Sequence, residues 1–291
     1  MNDSQDVLKR ACAIAGIDAT GARLLRVGSN TVYRLQAPVI ARISRPGADP
    51  GDVRRTVAVA RWLKTAGYPA VRAVDVDQPV MIDGRLVTFW EAVSDDGDQY
   101  ASVAEVADVL VKLHKLTAPD DLHLPELSPF ANASHRIKAN TWLSPQDRAF
   151  LTATLAQMRA LYAGIEFTLP PGVIHGDASI GNVLRDSHGH PVVIDLDGFA
   201  TGPREWDLAL TAIYYDSFGW HTSEEYQDFV RVYGVDIMTW PDYPAMRAIR
   251  EFLMVTWVIQ KAPESEQAAA EATKRIAALR TGASRQDWQP Y

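Results

Sequence analysis

The chain has 291 residues, 47% hydrophobic and 22% charged, the proportions of a globular protein long enough for one or two domains. Its net charge of −7 argues against a general nucleic-acid binder, which needs a basic face to neutralise phosphates, and it permits a cationic small substrate. A single cysteine, Cys12, excludes an internal disulfide and a thiolate zinc centre, and it reads as a small apolar residue of the first helix.

Val7, Leu8, Ala11, Ile14 and Ala15 recur at helical spacing, with Gly16 as the stop. The N-terminal stretch has no basic start followed by a long apolar run, and no segment has the apolar length to span a bilayer. A cytoplasmic protein without membrane or nucleic-acid partners is therefore expected. Three β-like runs follow, ARLLRV, TVYRL and VIARIS, separated by Gly28-Ser29-Asn30 and Gln36-Ala37-Pro38, which together predict an antiparallel meander. VRRTVAVARWLKTAG returns to helical periodicity, and AVRAVDV and RLVTFWEAV read as two further strands.

Past residue 100 the pattern becomes helical. Ser102 and Glu105 predict a capping box in front of an apolar helix face, and Ser144-Pro145 starts another helix. PVVIDL is a short buried strand, and helical patterns cover 204–216, 223–233, 244–261 and 264–280. The expected fold class is α+β, with a small antiparallel-sheet N-terminal lobe over 1–93 and a larger, mainly helical C-terminal lobe over 94–291.

Two short stretches concentrate chemistry. VIHGDASIGNVL, residues 173–184, places His175, Asp177 and Asn182 on a loop between apolar segments. Loops of this kind hold ligands more often than framework segments do. In VVIDLDGFATGPREWDLA, residues 192–209, Asp195 ends a β-branched run that fixes its carboxylate at a strand end. Asparagine oxygen and carboxylate are hard donors suited to Mg²⁺, which keeps several waters and shares phosphate oxygens. Asp177 could instead face a substrate hydroxyl as a general base. A lone Asp–Asn pair is commonly turn chemistry, but turn chemistry alone does not produce two such loops in this order.

H-G-D-x-x-x-x-N at 175–182, I-D-x-D at 194–197 and D-L-A at 207–209 resemble the aminoglycoside phosphotransferase family, which is similar to choline kinases. The resemblance runs through most of the chain and implies a two-lobed, protein-kinase-like fold. It implies that Asp177 accepts the substrate hydroxyl proton, that Asn182 and Asp195 ligate Mg²⁺, and that ATP or GTP is the donor. It also implies supporting roles for His175, which orients the loop, and for Asp207, which braces it. Gly28, Ser29 and Asn30 stand where a phosphate-covering hairpin belongs, although a plain turn explains them too. Arg42 stands where the fold expects a lysine, and its planar fork suits two phosphate oxygens. Glu91 and Val93 would offer backbone groups to the base. The helix glutamate that should pair with the strand cation is missing, since Thr56 stands there.

For the acceptor, Glu205, Trp206, Asp216, Trp220 and His221 mix carboxylates for an amine with rings for a sugar or base. Asp197 fits a second metal contact, a substrate contact or an Asx turn equally well. The expected activity is Mg²⁺-dependent transfer of γ-phosphate to a hydroxyl of an antibiotic, giving resistance or self-protection. The alternatives are a metabolite kinase of choline, homoserine or amino-sugar type, and a nucleotide-binding regulator that has lost transfer.

Overall fold

The computed structural model describes residues 2–28, 30–94 and 99–290. Helix α1 (Asn2–Ala15) buries Val7, Leu8, Ala11 and Cys12, and Gly16 ends it with φ of +69°. Ile14, which the spacing groups with them, is instead 67% exposed. Burial, with Asp18 adding to it, pushes the Cys12 thiol up to about 11, so the group stays protonated and inert.

Strands β1 (Arg23–Val27), β2 (Asn30–Arg34) and β3 (Val39–Ser44) form the expected meander. Helix α2 (Pro50–Thr65) begins earlier than its apolar periodicity suggests, because the Asp49 side chain accepts from the Gly51 amide and Pro50 opens the first turn. Strands β4 (Val80–Ile82) and β5 (Arg85–Glu91) complete a five-stranded antiparallel sheet ordered β1-β2-β3-β5-β4. Asp83 and Gly84 join the last two with φ of +48° and +73°, the backbone that a two-residue hairpin needs.

The run 70–76, read as a strand, is not one. Its peptide groups are divided between two neighbours: the Val71 amide donates to Val193, while the Val74 amide donates to Phe89 and the Arg72 carbonyl accepts from Glu91. Only isolated bridges at Ala70 and Ala73 result, and the place beside β5 goes to β4. Tyr33, Ala41, Ile43, Val87 and Phe89 cluster with Val7 and Leu8 of α1, each large side chain contributing about 1.5–3 kcal/mol of burial.

Helix α3 (Val103–Leu113) opens on the full Ser102–Glu105 capping box. Helices α4 (Ala133–Lys138) and α5 (Pro145–Ala163) follow, the second capped by Ser144. Strands β6 (Gly172–Ile174), β7 (Val183–Arg185), β8 (Pro191–Val193) and β9 (Ala200–Gly202) are short. At Gly202 a Cβ would stand 2.9 Å from Ile174 Cδ1 and 3.0 Å from Leu127 Cβ, so a larger residue there would force Ile174 to shift. Helices α6 (Glu205–Asp216), α7 (Ser223–Tyr233), α8 (Tyr243–Val258) and α9 (Glu266–Thr281) match the four predicted helical patterns within a few residues at each end.

The chain forms two compact units, Met1–Pro125 with Ser179–Ala200, and Glu126–Ala178 with Thr201–Tyr291. The first holds the sheet, α1 to α3 and the β7–β8 hairpin. The second holds α4 to α9. No described helix is long and apolar enough to cross a membrane.

Candidate active site

In the first unit, β7 and β8 pair with Val183 opposite Val193. The Ile194 amide donates to the Asn182 carbonyl at 2.9 Å, which carries the pairing one step further. Asn182 and Asp195 therefore stand at the open end of one hairpin. Asn182 closes a short 3-10 turn, and Asp195 takes a left-handed backbone (φ +58°, ψ +62°), uncommon for a residue with a Cβ. A strained, partly exposed carboxylate next to an asparagine is a set of hard oxygen donors, and it fits Mg²⁺ chemistry. Among the described residues no group of three His, Cys, Asp or Glu forms a metal cluster.

Arg42 lies on β3 between Val32 and Thr88. Its Nη2 donates to Asp197 Oδ2 at 2.7 Å and lies 3.5 Å from Asp195 Oδ1. Thr56 Oγ1 on α2 donates to the other Asp197 oxygen at 3.1 Å. The missing helix carboxylate is thus supplied from residue 197, and the helix contributes a hydroxyl that holds it. Asp52 is occupied by Arg55. Trp90 is buried, donates to Thr88 Oγ1 and lies 5.9 Å beneath the Arg42 guanidinium.

At the β1–β2 turn, the Gly28 amide donates to the Asn30 carbonyl, and Arg45 donates twice to the Gly28 carbonyl. Ser29 lies outside the described residues. Glu91 ends β5 with its amide donating to Arg72, the Ala92 amide donates to Pro38, and Val93 follows in a bend.

In the second unit, β6 delivers His175, Gly176 and Asp177. Asp207, fully buried in the first turn of α6, accepts from the His175 amide at 2.8 Å and the Gly176 amide at 2.9 Å. Gly176 has φ of +85°, a conformation glycine adopts without cost and in which its N–H meets that carboxylate. His175 is buried and accepts the Asp177 amide at Nδ1, at 3.2 Å. Trp206 donates its indole N–H to the Gly176 carbonyl. The Asp177 carboxylate remains 63% exposed on this braced loop.

Sequence reasoning missed Arg250. Its Nη2 lies 3.8 Å from Asp177 Oδ1, and its guanidinium covers the Trp206 ring at 4.3 Å. Burial pulls the Arg250 pKa below the usual arginine value, against the opposing pull of Asp177, Tyr214 and Asp207. The available signal was an arginine among Met246, Ile249, Phe252 and Val255 on α8, because a buried arginine requires a partner.

The acceptor-side candidates scatter. Glu205 is buried, and its Oε1 accepts the Thr168 and Leu169 amides at 2.7 Å. Asp216 is bound by Arg247 and by the Tyr243 hydroxyl. Trp220 donates to the Trp288 carbonyl, and its ring lies 4.8 Å from Tyr214. His221 is buried below Tyr214, where burial lowers its pKa against the pull of Glu225. Trp206 therefore meets the Asp177 loop, while Glu205, Asp216, Trp220 and His221 have other partners. His114 is also buried, a packing histidine at the end of α3.

Residues 22–249 match the model of the phosphotransferase enzyme family, known as APH. The chain belongs to this family. Among solved structures, this phosphotransferase is similar to an amicoumacin kinase in complex with AMP-PNP, Ca²⁺ and Ami, with a TM-score of 0.75 and 14% identity over 99% of this chain and 96% of that one. It is also similar to a microcompartment-associated aminopropanol kinase, with a TM-score of 0.73 and 18% identity over 94% of each chain. These likenesses show the protein-kinase-like fold, an antiparallel-sheet N-terminal region followed by a mainly helical part. A stretch of 68 residues is 44% identical to a probable ketoamine kinase of Lactiplantibacillus plantarum. That stretch is 23% of this phosphotransferase, and the chain covers only 22% of that relative's length.

Proposed function

We propose that this phosphotransferase moves the γ-phosphate of ATP or GTP to a hydroxyl of a small molecule, in the cytoplasm and with Mg²⁺. The observation that carries the reading is Asp177, an exposed carboxylate on a loop whose backbone is fixed by buried Asp207. Asp177 would orient the acceptor hydroxyl and take its proton as attack proceeds. Asn182 and Asp195 would hold the metal, and Arg42 would grip the phosphates through its fork. Bound Mg²⁺ would supply charge neutralisation to the phosphate oxygens. Gly28, Ser29 and Asn30 would cover the phosphates, and the backbone around Glu91 and Val93 would meet the base. His175 and Asp207 would support the Asp177 loop.

The proposed acceptor is an antibiotic hydroxyl, an aminoglycoside or another sugar-bearing or nucleoside compound, so that transfer gives resistance or self-protection. The similarity to an amicoumacin kinase supports this reading. A metabolite kinase is the second reading, favoured by the aminopropanol kinase likeness and by the pairing of Asp216 with Arg247, which occupies a carboxylate that a polyamine would need. The missing helix glutamate favours the regulator reading, and the pairing of Arg42 with Asp197 weighs against it.

The test is transfer of labelled γ-phosphate from ATP and GTP, with Mg²⁺, onto a panel of antibiotics, amino alcohols and ketoamines, with Asp177→Asn in parallel. A labelled acceptor formed by the wild type alone is expected. Equal labelling by both proteins removes Asp177 from the chemistry.

A further inference from the structure

We propose that Asp197, anchored by Thr56, is a positioning residue that fixes the Arg42 guanidinium for the nucleotide phosphates and keeps it off Asp195. The inference rests on the reading above, in which Arg42 meets the donor and Asp195 holds the metal. Arg42 has two carboxylates before it, Asp197 at 2.7 Å and Asp195 at 3.5 Å, and only the first is at full hydrogen-bonding distance. Arg42 is a long side chain with free rotation about its stem. Released from Asp197, its guanidinium would find Asp195 as the next carboxylate, and closing on it would occupy a metal donor.

Asp197 can hold the arginine because it is itself held. One oxygen receives Arg42 from β3, and the other receives the Thr56 hydroxyl from α2. That hydroxyl proton is shared with the Asp52 carbonyl at 3.2 Å, so the anchor is weaker than the ion pair it steadies. The Trp90 ring lies 5.9 Å from the guanidinium. Both Asp197 oxygens are engaged by Arg42 and Thr56, whereas Arg42 approaches the Asp195 carboxylate at 3.5 Å.

The test is isothermal titration of the full chain with Mg²⁺ and AMP-PNP, on wild type, Asp197→Asn, Thr56→Val, Arg42→Met and the double variants with Arg42→Met. Thermal melting of each variant runs alongside. Loss of the charge-assisted pair in Asp197→Asn is expected to weaken binding about tenfold, and loss of the neutral anchor in Thr56→Val about threefold. In the Arg42→Met background both substitutions are expected to change affinity by less than about twofold, because their effect runs through the arginine. An Asp197→Asn cost that is equally large without Arg42 would overturn the proposal, since Asp197 would then touch metal or nucleotide directly. An unchanged affinity in the wild-type background would also overturn it. Should Asp197→Asn fail to fold, Thr56→Val, near in shape to threonine, carries the same cycle. A wild type that binds no Mg²⁺–AMP-PNP refutes the nucleotide reading itself, before any variant is compared.

Discussion

Asp177 and Arg250 face each other at 3.8 Å, one side chain exposed and the other buried. That asymmetry decides what each substitution does. Asp177 is exposed, so on the proposed reading Asp177→Asn would remove the base without disturbing the core. It should lower kcat at least about 10²-fold at unchanged melting temperature, the low end for loss of a general base. Steady-state transfer with any accepted substrate checks this, and a near-wild-type rate refutes it. Arg250 is the reverse. Its charge is costly to bury and is compensated by the ring of Trp206, the Gly176 carbonyl at 3.5 Å and Asp177, with Tyr214 and Asp207 adding to the pull. Replacing it with methionine removes that buried charge, while Asp177 is in water and buried Asp207 keeps the His175 and Gly176 amides. Arg250→Met should therefore melt at or above the wild-type temperature while kcat falls about tenfold, the scale of one charge-assisted contact. Arg250→Lys should fall between the two. A lowered melting temperature with unchanged kcat would make Arg250 a packing residue only.

Helix α6 organises more chemistry than its amphipathic pattern suggests. Its first turn sends two buried carboxylates to backbone amides of earlier segments: Glu205 to Thr168 and Leu169, Asp207 to His175 and Gly176. Negative charge is favoured at a helix N-terminus, which lowers the cost of burying both. Asp207→Asn keeps the shape but offers one acceptor oxygen where two amides need two. One buried N–H is then left unmet, at about 1–3 kcal/mol. The 175–177 loop should exchange its amide hydrogens faster and kcat should drop, whereas the amides of 168 and 169 should not change. Hydrogen exchange read by peptide separates the two segments, and uniform loosening would count against a local brace.

Legibility follows from the range of the interaction. The capping box at Ser102, the Ser144 cap and the four C-terminal helices depend on residues three or four apart, and they could be read directly. The H-G-D-x-x-x-x-N and I-D-x-D stretches were equally visible, being contiguous. The partner of Arg42 was not, because Asp197 lies 155 residues away and its anchor Thr56 carries no charge to announce it. The segment 70–76 was misread for a related reason. Its alternation is that of a strand, but which neighbours its amides find is a tertiary matter.

At the scale of the whole molecule, the C-terminal tail is tied down rather than loose. Trp288 is fully buried, stacks on Phe218 at 5.3 Å and has the guanidiniums of Arg275 and Arg285 at 4.8 and 5.7 Å from its ring. Glu271 on α9 makes this attachment sensitive to acid. Its Oε1 accepts both Arg275 Nε at 2.7 Å and the Gln289 amide at 3.0 Å, and Lys274 holds its Oε2 at 2.8 Å. Burial pushes the Glu271 carboxyl up, but Lys274, Arg275 and the Gln289 amide together hold it below the usual glutamate value of 4.5. A carboxyl whose folded pKa is depressed contributes stability that is fully present above the unfolded value and is lost as pH falls through the folded one. Tail attachment should therefore be constant from neutral pH down to about 5, then weaken steadily below the ordinary glutamate range. Proteolysis of the segment after Gly282, followed from pH 7 to pH 3 with an acid-active protease, reads this directly. Glu271→Gln should release the tail already at neutral pH and flatten the profile, since it keeps one acceptor but loses the charge facing Lys274 and Arg275. A wild type and a variant with the same pH profile would place the acid-sensitive group elsewhere.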